Sequence, residues 1–159
     1  MAVVNIRDTG RNSAKTGDVR ALAEKVQKPS DTEAITAANT ITAAESGTRY
    51  VLNVAAAKIQ TLPTPAAGLE YWFYVGATEP TGTHTVVTAS SANIIVGNVG
   101  SPEDAAGSVA TVTDADTISF VASKAVHGDF VHVWSDGTNW YLDGMCKVQD
   151  GITTTQASG

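Results

Sequence analysis

Three observations predict a mainly β fold, a β-sandwich or jelly-roll-like domain preceded by an N-terminal extended arm with a short helix. The first is the stretch from His127 to Gly144, in which Phe130, His132 and Trp134 alternate with Val131 and Val133 before Asp136-Gly137. Alternation at period two is strand periodicity, and Asp-Gly supplies the turn because glycine tolerates positive φ while aspartate bonds back to its own backbone. Trp140, Tyr141 and Leu142 then return as a second strand, so this aromatic hairpin is the expected centre of the core. The second observation is a series of short apolar segments separated by Gly, Pro, Asp and Ser from Asp31 onward, the spacing of an all-β domain. The third is that an apolar 3.6-residue stripe stands out only near the N-terminus.

That stripe is Val19, Leu22, Ala23 and Val26, behind Asp18 as a capping residue and ahead of Pro29 as a stop. It predicts a helix over residues 18–27. A helix this short is marginal alone in water, so its stripe needs a surface, on its own body or on a neighbouring subunit. Residues 1–30 are read as arm plus helix, 31–155 as the body and 156–159 as a flexible tail.

Within the body, Glu45-Ser-Gly47 is a turn, and Arg49 to Val54 is a strand with Tyr50, Leu52 and Val54 on one face. Lys58 to Leu62 is expected to pair with it. Pro63 to Gly68 ends the pairing because proline has no N–H to give. Leu69 to Val75, with Tyr71, Trp72, Phe73 and Tyr74, is apolar on both faces and is expected to be a central strand. Gly76 to Gly82 is a loop. Further strands are expected at Thr83–Ala89, Asn93–Val96 and Thr117–Ala122, with a long excursion from Gly97 to Ala115 that holds a short strand at Ser108–Val112. Lys147 to Gly159 reads as a polar tail. Trp72, Phe120, Trp134, Trp140 and Tyr141 are the aromatic residues assigned to the core, since each lies in an alternating or continuous apolar run.

Ala and Thr number 24 and 21 of the 159 residues, so large apolar side chains are sparse and the core is expected to be thin. Sharing surface with further copies of the chain would offset that. The net charge of −6 is unevenly spread: residues 1–28 carry six Lys/Arg against three acidic residues, and the remainder four against thirteen. An acidic body repels nucleic acid, whose binding rests on clustered Lys and Arg. A basic arm, with Arg7, Arg11, Lys15 and Arg20, suits an acidic protein surface or is a solvated extension. Cys146 is the single cysteine, which excludes an intramolecular disulfide. No apolar run reaches signal-peptide or membrane-span length, so no membrane partner is expected and the chain is placed in a cytosol unless a particle carries it.

Nothing in the sequence assembles a catalytic constellation, and the chain is not read as an enzyme. His127 and Asp129 stand two apart, but His132 falls on the other strand face and His84 is distant; zinc needs three or four converging ligands. Asp114 and Asp116 lack the rest of a calcium loop. Cys146 has no evident activating base among Asp143, Lys147 and Asp150. Gly97 to Pro102 lacks the lysine of a phosphate loop. No cofactor is expected. Exposed Trp72, Trp134, Trp140 and Tyr141 would form a sugar-stacking platform, the alternative to a core role.

Several segments in order resemble a family of small virion proteins of tailed bacteriophages: Ile41-Thr-Ala-Ala-Glu-Ser-Gly-Thr48, Leu62-Pro-Thr-Pro-Ala-Ala-Gly68, Thr117-Ile-Ser-Phe-Val-Ala122, Gly128-Asp-Phe-Val131, Ser135-Asp-Gly-Thr-Asn-Trp-Tyr141 and Asp150-Gly-Ile-Thr153. The similarity spans roughly residues 40–155. It implies a head decoration, or cement, protein: β-rich, often trimeric, made in the host bacterial cytoplasm and bound to major capsid protein on the outer capsid surface. It implies no catalytic residues. The arm lies outside the similar region, and Arg7, Arg11, Lys15, Val19, Arg20, Leu22 and Val26 are its candidate capsid or subunit contacts on charge and helix grounds. A tail-fibre or baseplate module that recognises a host surface glycan is the rival role.

Overall fold

From Thr32 to Val87 the chain alternates between two sheets, strand by strand. A computed structural model describes residues 31–101 and 109–157. Strands β1 (Thr32–Ile35), β3 (Arg49–Leu52) and β5 (Glu70–Val75) lie side by side and parallel in one sheet. Strands β2 (Asn39–Thr40), β4 (Ile59–Thr61) and β6 (His84–Val87) do the same in the other. Parallel neighbours need a crossover between them, and each strand of one sheet is the crossover for two strands of the other. Residues 32–87 are therefore a flattened coil wound around one apolar layer.

The second half closes both sheets. Strands β7 (Ile95–Gly100) and β8 (Val109–Ala115) pair antiparallel, as do β10 (Phe130–Ser135) and β11 (Trp140–Met145), while β9 (Thr117–Phe120) and β12 (Ile152–Thr155) join the smaller sheet. The result is a β-sandwich of a seven-stranded sheet, β1-β3-β5-β10-β11-β7-β8, on a five-stranded sheet, β12-β9-β6-β4-β2. The mainly β sandwich expected from the sequence is present, with the aromatic hairpin β10–β11 central in the larger sheet and β5 beside it. Gly137, at φ +103°, makes the turn that Asp136-Gly137 announces.

Three local expectations are corrected. Lys58–Leu62 does not pair with the strand at Arg49: β4 crosses the sandwich and lies between β2 and β6. Its burial explains the move, because Gln60 and Leu62 point into the core while Ile59 is about half exposed. The excursion starts later than Gly97, since β7 runs on to Gly100 alongside β11. Gly97 is required there: at φ +153° its place in a bulge against β8 brings it so close to β11 that a Cβ would lie 1.9 Å from the Leu142 carbonyl oxygen. The polar C-terminal segment is also structured. β12 pairs with β9, and beyond it the Ala157 N–H donates to Asn93 Oδ1 at 2.9 Å. The arm, the helix expected over 18–27 and Ser108 lie outside the described residues.

Inward positions of both sheets make one core. Tyr50 stacks on Phe73 with ring centroids 5.3 Å apart, and Tyr71 meets Trp140 at 5.9 Å. Phe120 and Ile118 close the layer from the smaller sheet, and all six are fully buried. The large rings of β5 stand beside the small Val131 and Val133 of β10, an alternation of size that suits close packing.

Candidate functional site: the outer face of the larger sheet

The chain holds ten aromatic residues, and the structure splits them evenly. Tyr50, Tyr71, Phe73, Phe120 and Trp140 are buried between the sheets. Trp72, Tyr74, Phe130, Trp134 and Tyr141 belong to the opposite strand parity and stand on the outer face of β5, β10 and β11. Three of the five aromatics expected in the core, Trp72, Trp134 and Tyr141, are thus corrected to surface positions; Trp134 is 39% exposed. Phe120 and Trp140 are core residues as expected. The reason is that β5 and β10 are apolar on both faces, so alternation identifies two faces without ranking them.

The strand register arranges this face in three rows. Glu70, Trp134, Tyr141 and Val96 form the first, and Arg49, Trp72, His132, Asp143 and Asn98 the second. The third is Val51, Tyr74, Phe130, Met145, Gly100 and Val109, with no charged group. Met145 and Val109 in that row are 47% and 53% exposed. Neighbours across the strands are stacked: Trp72 on His132 with centroids 3.8 Å apart and planes 9° apart, and Trp134 on Tyr141 at 4.3 Å and 16°. Tyr74 and Phe130 follow at 5.7 Å. His132 Nε2 lies 3.3 Å from Glu70 Oε2.

Asp136 fixes the end of the hairpin. Its Oδ1 accepts from the Thr138 and Asn139 N–H groups at 2.8 and 2.9 Å, and its Oδ2 accepts from the Tyr141 hydroxyl at 2.9 Å. These bonds, those from the Asn139 and Thr138 backbone first, hold the carboxyl below its ordinary range. The same contact raises the Tyr141 phenol, chiefly through its hydrogen bond to Asp136. The Tyr141 ring is therefore tied at its hydroxyl to Asp136 and stacked on Trp134.

Of the other polar residues considered for chemistry, His84 and Asp129 have structural partners. His84 is buried; its Nδ1 accepts from the Lys58 N–H at 3.1 Å, which leaves Nε2 to donate to the Val54 carbonyl at 2.8 Å. Asp129 is buried and accepts from the Val126 and Lys147 N–H groups at 2.9 and 3.0 Å. His127 is exposed, separated by role from Asp129. Asp114 occupies a positive-φ position at +54°. The Cys146 thiol is buried 3.6 Å from the Gly100 carbonyl oxygen. Among the described residues no group of three or more His, Cys, Asp or Glu converges. An open depression of about 300 Å³ lies along residues 33–39 and Glu45, and Glu45 is engaged there by the Thr42 N–H and hydroxyl.

Arg7, Arg11, Lys15, Val19, Arg20, Leu22 and Val26 lie outside the described residues. Sequence reasoning did not select Tyr74, Phe130, His132, Val109 and Met145. A signal for them was present: a histidine on the same parity as Phe130 and Trp134 marks that parity as the one facing water.

Comparison with family models, with curated proteins and with solved structures finds no match to this chain. Among the described residues no helix is long and apolar enough to cross a membrane.

Proposed function

We propose that this chain is a virion structural protein that decorates and stabilises the outside of a bacteriophage capsid, binding major capsid protein subunits as a homotrimer. The observation that carries this reading is the uncharged third row, Val51, Tyr74, Phe130, Met145 and Val109, laid across the outer face of an otherwise acidic body. Interface cores are depleted in charge and enriched in aromatic residues and methionine. The rows favour a protein partner over a sugar because the best-placed rings stack on one another, Trp72 on His132 and Trp134 on Tyr141. A glycan platform needs open ring faces, and in each of these pairs one face of each ring is already taken by its partner.

Decoration of this kind requires no chemical step. A protein that binds the assembled lattice and not its dispersed subunits stabilises the lattice by mass action. Trimerisation adds effective concentration, since one engaged subunit holds the other two near their sites. The basic residues Arg7, Arg11 and Lys15 supply a second, electrostatic contact to an acidic capsid surface.

The test is co-sedimentation of the purified protein with expanded capsids that lack it. Saturable binding at a fixed ratio to the shell protein, with a higher melting temperature of the particle, is the expected result. Absence from capsids together with binding to a host surface glycan would overturn it in favour of a tail-fibre or baseplate module.

A further inference from the structure

An open sheet leaves a row of main-chain N–H and C=O groups along each edge. Among the described residues the two sheets end in β1, β8, β12 and β2. β2 has two residues, β1 and β12 have four each, and β1 carries Glu33. β8 is longer, at seven residues, and from Val109 to Thr113 it holds neither a charge nor a proline. Short length, charge and proline are the usual guards against pairing at an edge, and this stretch has none of them. The guard comes only at its far end, where the pairing with β7 is irregular and Asp114 takes φ +54°.

The register fixes which groups are open. The Trp140 and Cys146 N–H groups donate to the Ile94 and Gly100 carbonyls, each at 2.9 Å. Even-numbered residues along β7 therefore turn their main-chain groups toward β11, and odd-numbered residues turn theirs toward β8. Val99 accordingly pairs with Ala110, and Val109 and Thr111, on either side of Ala110, direct their N–H and C=O groups away from the sheet. Thr113 has the same direction, and its carbonyl accepts from Gln156 Nε2 at 3.2 Å. The side chains are accessible as well: Val109 is 53% exposed, and Ala110 and Thr111 are exposed. Val109 is also the end of the uncharged third row, in register with Gly100 and, through it, with Met145.

We propose that Val109–Thr113 receives an extended segment of the major capsid protein as an added strand of the larger sheet, hydrogen-bonded to the outward groups of Val109 and Thr111. This rests on the decoration reading and specifies how that contact is made. Open main-chain donors and acceptors at strand spacing are matched by another extended main chain. The fitting segment is uncharged opposite Val109–Thr113, apolar at the side chains that prolong the third row, and basic where it passes Asp114. A second copy of this chain does not suit the role, because β8 paired with β8 is a two-fold contact and does not close a trimer.

Co-sedimentation of Thr111→Pro with expanded capsids tests it, beside Thr111→Ala. Proline removes an N–H that points away from β7, so β8 keeps its ladder, while the ring obstructs an incoming strand. Thr111→Pro is expected to keep a cooperative melting transition and to bind about tenfold more weakly or worse, with Thr111→Ala binding like the wild-type chain. A folded Thr111→Pro that binds as wild type overturns the proposal and leaves the decoration reading standing; a wild-type chain that does not bind capsids removes both. Hydrogen exchange of the wild-type chain gives a readout free of any substitution. The Val109 and Thr111 amides are expected to exchange several-fold more slowly on capsids than in the free protein, and unchanged exchange there overturns the proposal. Analytical ultracentrifugation of the free chain separates the other occupant: a dimer that Thr111→Pro dissolves would assign the edge to a second copy and reject the capsid strand.

Discussion

Trp72 on β5 and His132 on β10 are directly opposed, their rings 3.8 Å apart and 9° from parallel, on the face of the sheet that points away from the core. A cross-strand ring pair of this kind contributes about 0.5–1.5 kcal/mol beyond its area. His132→Ala is therefore expected to cost about 1 kcal/mol, read as a lower urea midpoint with an unchanged slope. Trp72→Ala in the same background should cost less than Trp72→Ala alone, because the stack is already gone. Additive losses would mean that the two rings do not support each other.

The hairpin turn makes the outer face sensitive to acid. Asp136 has a carboxyl pKa lowered by its bonds from the Asn139 and Thr138 backbone and the Tyr141 hydroxyl. A folded-state pKa below the unfolded value of about 3.9 contributes stability that is present above that value and lost as pH falls through the folded one. Acidification is expected to release the Thr138 and Asn139 amides, seen as faster hydrogen exchange at those two positions than in the rest of β10–β11. In Asp136→Ala the exchange is fast already at neutral pH and shows no such acid step.

At the alkaline end the buried tyrosines set the limit. Burial first, and then the Glu45 carboxylate, push the Tyr71 phenol up to about 12 and raise that of Tyr50 further. A raised folded-state pKa means stability that is complete below the unfolded value of about 10 and lost as pH rises through the folded one. The native protein is expected to lose stability between about pH 10 and pH 12, with phenolate absorbance of Tyr50 and Tyr71 appearing only as the sandwich opens. Tyr71→Phe removes the hydrogen bond to the Thr42 carbonyl, 2.9 Å long, and costs about 1 kcal/mol at neutral pH. It should also soften the alkaline loss.

Much of this architecture is legible in the sequence, and the failures have a common cause. Strands are recognised by alternation, so β3, β5, β6, β9 and the β10–β11 hairpin stand close to where period two places them. Pairing is a different matter. Lys58–Leu62 follows the strand at Arg49 after a short connection, the local pattern of a hairpin, yet Ala55-Ala56-Ala57 and the residues around it carry the chain across to the other sheet. Nothing local distinguishes a crossing from a return. The same limit governs the candidate site: Val131 and Val133 face inward and Phe130, His132 and Trp134 outward, the reverse of a ranking by size. Tyr71 and Phe73 on β5 supply the large rings of the core, and Val131 and Val133 stand in register beside them.

Trp140 and Met145 lie on one strand and on opposite faces, and their substitutions should separate folding from docking. Trp140 is fully buried against Tyr71, so Trp140→Ala leaves a large cavity and costs about 3–5 kcal/mol, a large share of the roughly 5–15 kcal/mol that holds a domain folded. Met145 is 47% exposed beside Phe130. Met145→Asp places a carboxylate at a water-facing position and is expected to change stability by no more than about 0.5 kcal/mol. In an interface the same carboxylate is stripped of water without a partner, a cost of several kcal/mol, which is a loss of at least a hundredfold in affinity. The expected outcome is a folded Met145→Asp protein, with an unchanged melting temperature, that no longer sediments with expanded capsids. Full occupancy by that variant would place the capsid contact away from the third row and leave the arm as the element that binds.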